Sequence, residues 1–145
     1  MKKKIIILII VLLITAVGGF LYYKNSKDKP EETLNEYISK INDEKYNEMY
    51  ELLDEKSKQK ITEEDFVSRN KKIYQGIDMS NMTIEIKDIK KSGSKRVIIY
   101  NTKMEASGGE ITFDNEITLN KESGYKIEWN SNLIFPELED TDKVR

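Results

Sequence analysis

The sequence predicts an α+β domain carried behind an N-terminal transmembrane helix, and three observations lead there. Residues 5–23 form one uncharged apolar run, and from Pro30 to Gly76 apolar residues recur every three or four positions. After Gly76 the recurrence shortens to every second position. The first pattern suits a bilayer, the second amphipathic helices and the third half-buried strands. Helices gathered ahead of the strands, rather than alternating with them, predict an antiparallel sheet with helices packed on one face.

The apolar run passes through Ile5, Leu8, Val11 and Leu13 to Phe20 and Leu21. It comes close to the ~20 residues that a helix needs to cross the hydrocarbon core. Tyr22 and Tyr23 stand where an aromatic belt would hold the helix at the outer interface. The dense cluster Lys2-Lys3-Lys4 places residues 1–4 in the cytoplasm, although Lys24, Lys27 and Lys29 beyond the span pull the other way. A cleaved signal peptide ending near Ala16-Val17-Gly18 is the rival reading, but the apolar stretch from Phe20 to Tyr23 continues past that site. Both readings put the body outside the membrane; the anchor makes it a single-pass protein of the cell membrane.

Residues 24–29 form a polar linker. Pro30 opens the first helix at a position where its missing N–H costs little, with Glu31 and Glu32 favoured by the helix dipole. Leu34, Tyr37, Ile38 and Ile41 make its buried stripe, and Asn42-Asp43 breaks it. A second helix is expected through Tyr46, Met49, Tyr50, Leu52 and Leu53. Thr62 with Asp65 resembles a capping box and starts a third helix through Phe66, Ile73 and Tyr74, with Gly76 as its stop. Four or five strands follow: Met82 to Ile86, Val97 to Tyr100, Ile111 with Phe113, Ile117 with Leu119, and Tyr125 to Trp129. Ser92-Gly93-Ser94, Ser107-Gly108-Gly109 and Ser123-Gly124 mark turns, while Asp114-Asn115 is expected to bend or bulge one long strand. Trp129 reads as a core anchor on the last strand, which Pro136 ends.

Composition excludes most chemistry. The chain has 145 residues, no Cys and no His, and a formal net charge of −2. Without Cys there is no disulfide framework, and without either residue the usual zinc ligands and nucleophile–histidine pairs are missing. The body is acidic once the three leading lysines are set aside, so nucleic acid is not an expected partner. No metal or cofactor is expected, and the Glu63-Glu64-Asp65 cluster reads as a helix start.

Serine-transpeptidase patterns do occur: Ser57-x-x-Lys60, Ser68-Arg69-Asn70 and Lys91-Ser92-Gly93. S-x-x-K also occurs at Ser26 and Ser92 in this lysine-rich chain, and the three patterns are crowded between Ser57 and Gly93. We read them as coincidence, with Ser57 in an exposed helical stretch where burial cannot tune Lys60. A second enzymatic reading would line a cavity with Tyr37, Tyr50, Tyr74 and Tyr100 and use Glu105 or Asp114 as a tuned acid. The expectation is that these tyrosines are core aromatics with their hydroxyls at the rim.

The order of helices then strands, the Pro30-Glu31-Glu32 opening and the Lys126-to-Trp129 strand lead to a distinctive ending: Trp129, Leu133-Ile134-Phe135-Pro136, Leu138 and Asp142-Lys143-Val144-Arg145. Together they resemble the MecA-type N-terminal, non-penicillin-binding domain of class B penicillin-binding proteins from Gram-positive bacteria. The resemblance implies a nuclear-transport-factor-like (cystatin-like) cone over residues 30–136, with residues 137–145 starting the connection to a further domain. In that family a linker domain and a β-lactam-acylated transpeptidase domain follow. Their chemistry is not expected of this polypeptide, whose sequence stops at Arg145. The resemblance implies a non-catalytic spacer and interaction role in peptidoglycan synthesis and the β-lactam response. The partners implied are the bilayer and other wall-synthesis proteins or the rest of a penicillin-binding protein. The alternatives are a free-standing anchored binding domain and a small cavity isomerase or hydrolase.

Overall fold

The computed structural model describes residues 29–130. The expected anchor (5–23) and the ending from Ile134 to Val144 lie outside the described residues. Among the described residues no helix is long and apolar enough to cross a membrane.

Helix α1 (Pro30–Asn42) buries Pro30, Leu34, Tyr37, Ile38 and Ile41, the stripe that the sequence predicts. It stops where Glu44 takes a left-handed backbone (φ 57°). The Asn42 side chain then acts as a one-residue strand: its Nδ2 donates to the Met82 carbonyl and its Oδ1 accepts from the Met82 amide, both at 2.8 Å. Two otherwise open edge groups of the sheet are thereby satisfied.

Helix α2 (Tyr46–Tyr50) is shorter than expected. Leu52 and Leu53 leave it because backbone bonds to the sheet are on offer. The Ile127 amide donates to the Leu52 carbonyl (2.8 Å), the Asp54 amide donates to the Ile127 carbonyl (2.9 Å), and Leu53 forms a parallel bridge with Ile127. A one-turn helix, α3 (Glu55–Lys58), follows in the polar stretch around Ser57 that the sequence reads as helical. Helix α4 (Glu63–Gly76) begins as predicted: the Thr62 hydroxyl accepts from the Asp65 amide (3.2 Å) and donates to the Asp65 carboxylate (2.9 Å).

Four strands form one antiparallel meander in the order β1-β2-β3-β4. They are β1 (Met79–Ser92), β2 (Lys95–Ala106), β3 (Gly109–Lys121) and β4 (Tyr125–Ile127). At Asp114-Asn115 β3 runs on as one long strand, as expected, but without a bulge, since β2 and β3 stay in register from Lys95↔Asn120 to Ala106↔Gly109. The polar pair is absorbed across the ladder instead: Asn101 donates to Asp114 (3.0 Å) and Asn115 to Thr102 (3.3 Å). The irregularities lie in β1, between Met79 and Asn81 and between Ile86 and Asp88. β1 is an edge strand, where bulges and the charges of Glu85, Lys87 and Asp88 discourage pairing with other chains.

Alternation puts Ile98, Met104, Ile117, Leu119 and Ile127 on the sheet face that meets Leu34, Ile41, Met49, Leu53 and Phe66, all ten essentially inaccessible. Each such side chain contributes about 1.5–3 kcal/mol relative to exposure. Phe66 is fully buried and lies against Tyr50, ring centroids 5.6 Å apart. Phe66→Ala should cost about 3–5 kcal/mol in urea unfolding. Thr62→Ala should cost about 0.5–2 kcal/mol through the lost cap. Fluorescence of the single tryptophan, Trp129, reports both.

Candidate functional site

The interior between helices and sheet is the first place where a catalytic site could sit. A cavity of about 10 Å³ remains there, lined by Tyr37, Tyr74, Tyr100, Thr102, Phe113 and Asn115 among others. That is about the space of one water and too little for a substrate. No carboxylate lines it; a larger cleft of about 160 Å³, where the ends of α1 and α4 meet the start of β1, is lined by Glu44 and Asp78 among others. Glu105 and Asp114 are exposed, the latter accepting from Asn101.

The tyrosines correct a sequence expectation. The Tyr50 hydroxyl donates to the Ile61 carbonyl at 3.0 Å, and Tyr100 hydrogen-bonds Asn115. The hydroxyls of Tyr37 and Tyr74 are buried without a hydrogen-bond partner. Their rings sit mid-stripe, so helix and sheet close over the polar tips; Tyr74 also stacks on Tyr46 at 6.0 Å and 7°. Burial holds the phenols of Tyr37, Tyr74 and Tyr100 well above the ordinary tyrosine range. They therefore stay neutral at any ordinary pH and are poorly suited to proton transfer.

The transpeptidase-like triplets disperse. Ser57 was expected at the surface but is fully buried. The reason is local: Asp54 caps α3 through the Ser57 amide (2.7 Å), which turns the Ser57 side chain toward the sheet. Its Oγ accepts from the Trp129 amide at 2.8 Å, so the hydroxyl is committed to structure, while Lys60 faces solvent. Asn70 is buried on α4 and donates to the Phe66 carbonyl, and Lys91-Ser92-Gly93 sits at the exposed end of the first hairpin. Among the described residues no three acidic side chains gather as a metal site would require.

What the fold does assemble is a polar clamp around the end of β4. Asn120 on β3 donates to Asp54 (2.6 Å) and to Glu128 (3.2 Å). Lys95 on β2 pairs with Glu128 at 2.8 Å. Lys126 reaches the Glu51 carbonyl at 2.8 Å. Burial pushes the Asp54 carboxyl up, but hydrogen bonds from Ser57 and Asn120 outweigh it and hold the group below the usual aspartate range. The Lys95 hydrogen bond likewise holds Glu128 down. Trp129, the one signature residue within the described part, lies just beyond β4 and packs against the core half-buried. The one sequence signal for the clamp is the helix-capping spacing Asp54-x-x-Ser57, which ends on the serine that also opens the S-x-x-K pattern.

Ser57→Ala strands the Trp129 amide and should cost about 1–3 kcal/mol. Asp54→Ala removes a cap worth about 0.5–2 kcal/mol. Because the folded pKa of Asp54 is depressed, its stabilisation is present above the unfolded value of about 3.9 and lost as pH falls through the folded one. The stability gap between wild type and Asp54→Ala should therefore narrow on acidification below that range, as urea midpoints at neutral and acid pH would show.

These contacts make a positioned framework around the end of β4. A sequence profile of the NTF2-like N-terminal transpeptidase domain, MecA_N, matches residues 29–142. The chain is also similar to penicillin-binding protein 3 of Bacillus subtilis (strain 168), 28% identical over 127 residues, which is 81% of this chain and 19% of that protein. It thus spans about a fifth of that relative's length. The profile covers well over half of the sequence, and the chain belongs to the family of NTF2-like N-terminal transpeptidase domains.

Proposed function

We propose that this domain is a non-catalytic spacer and interaction module acting beside the membrane in peptidoglycan synthesis. The family assignment carries the reading, since the match falls on an N-terminal module. The core between helices and sheet supports it, its cavity having room for about one water and no lining carboxylate, while the larger cleft of about 160 Å³ beside Glu44, Tyr46, Tyr74 and Asp78 stays below the roughly 300 Å³ of a small-molecule site. In this reading residues 5–23 tether the domain at the outer leaflet. The clamp around Glu128 and Trp129 then sets the direction in which the chain leaves, and so the height and orientation of whatever is attached. Its partners would be the bilayer and other wall-synthesis proteins, or the catalytic part of a penicillin-binding protein, and a bearing on the β-lactam response would come through that part.

Fluorescent penicillin tests the non-catalytic claim directly. The 145-residue chain should take up no covalent label under conditions that label a full-length penicillin-binding protein. Covalent labelling at Ser57 would overturn the reading.

A further inference from the structure

The two ends of the sheet carry opposite charge. The β1–β2 and β3–β4 turns lie at one end and are joined there, since the Lys121 amide donates to the Ser94 carbonyl at 2.9 Å. Between Ile89 and Val97 the chain has four bases, Lys90, Lys91, Lys95 and Arg96, and no acid. Lys121 adds a fifth at the neighbouring turn, with Glu122 against it. Arg96 donates to the Gly93 (3.0 Å) and Lys95 (2.9 Å) carbonyls, which ties its guanidinium to the first turn. The Tyr125 ring lies 5.8 Å from that guanidinium and 5.7 Å from the Lys121 ammonium, so it draws cations of both turns together.

The far end has the opposite sign. Glu105 and Glu110 flank the Ala106–Gly109 turn, with Lys103 held by Glu110 at 2.7 Å. Glu44 and Asp78 line the cleft beside it, next to Met79, which pairs with Ala106. Helix α1 runs from the basic end toward the acidic one. Thr33 in its first turn donates to the Tyr125 carbonyl (3.4 Å), and Asn42 at its end holds Met82. The described chain therefore begins at the basic end, where Lys29 pairs with Glu32 at 3.0 Å. Tyr23, the last residue of the proposed tether, stands six positions before Lys29, a stretch that spans at most roughly 20 Å.

Resting on that tether, we propose that the joined turns lie against an anionic bilayer surface through exposed Lys90, Lys91 and Lys121. The acidic end then faces away from the lipid. The partner is a lipid surface because the basic end is the one held within short reach of the bilayer. Opposite charges at the two ends favour this single orientation. The attraction fades beyond about 8 Å at physiological ionic strength, so it acts only on turns that touch the headgroups.

The full chain in vesicles tests this, and the lack of native cysteine lets one fluorophore be placed at a chosen residue. A label on Ser123→Cys, in the β3–β4 turn, should be quenched by headgroup spin-labelled lipid in mixed phosphatidylcholine and phosphatidylglycerol vesicles. A label on Ser107→Cys, in the β2–β3 turn, should not. Vesicles of phosphatidylcholine alone should release the Ser123 label from quenching. The variant Lys90→Gln/Lys91→Gln should weaken the contact equilibrium by about fivefold for each lysine, roughly 25-fold together. Suppose the chain floats with the vesicles but Ser123 is unquenched, or is quenched equally without phosphatidylglycerol, or Ser107 is quenched as strongly. Any of these would overturn the proposal and leave the tether standing. A chain that floats with neither kind of vesicle would remove the tether and the proposal with it.

Discussion

A carboxylate shut away from water fixes how the two halves of this domain meet. Asp54 is almost wholly buried and would be costly there without partners. It is tolerated because the Ser57 amide and the Asn120 side chain both donate to it, one from a helix start and the other from β3. Around that charge the Leu52–Asp54 segment lies alongside Ile127, Ser57 holds the Trp129 amide, and Lys95 with Asn120 holds Glu128. β4 is only three residues long, and without this satisfied network it would have little to orient it.

The sequence announces those parts of the fold that repeat. The stripe of α1, the Thr62 cap of α4 and the alternation of β1 through β3 follow from periods of about 3.6 and 2 residues, which many side chains report together. The misreadings fall where a single long-range contact decides. Leu52 and Leu53 carry a helical spacing, yet backbone bonds to Ile127 draw them out of α2. Asp114-Asn115 looks like a bend, but its side chains find partners on the neighbouring strand. Ser57 looks exposed in a run of Lys and Glu, yet the Asp54 cap turns it toward the sheet, where it meets the Trp129 amide from far along the chain. Tyr37 and Tyr74 show how far local amphipathicity misjudges depth, since the rings and their hydroxyls alike go under.

The same features bear on function. A cone of this kind could serve as a pocket, but here its centre is filled by aromatic and aliphatic side chains, and the cleft of about 160 Å³ lies at one corner, where α1 and α4 end and β1 begins. Buried, neutral phenols and a hydrogen-bonded serine are poor starting points for acid–base or nucleophilic chemistry. The polar interactions are spent on geometry around the C-terminal end of the sheet instead. That placement agrees with membership in a family of N-terminal domains and with a relative in which the matched region is about a fifth of the protein. The role we propose is one of position, in which the packed body holds the clamp at the end of β4.

The central claim is that the exit is held rigidly to the body. Time-resolved fluorescence anisotropy of Trp129, the single tryptophan, measures this at the position concerned. A clamped exit predicts a decay governed by the tumbling of the whole domain, with little amplitude in faster local motion. A dominant subnanosecond component would show Trp129 moving independently of the sheet and would contradict the account.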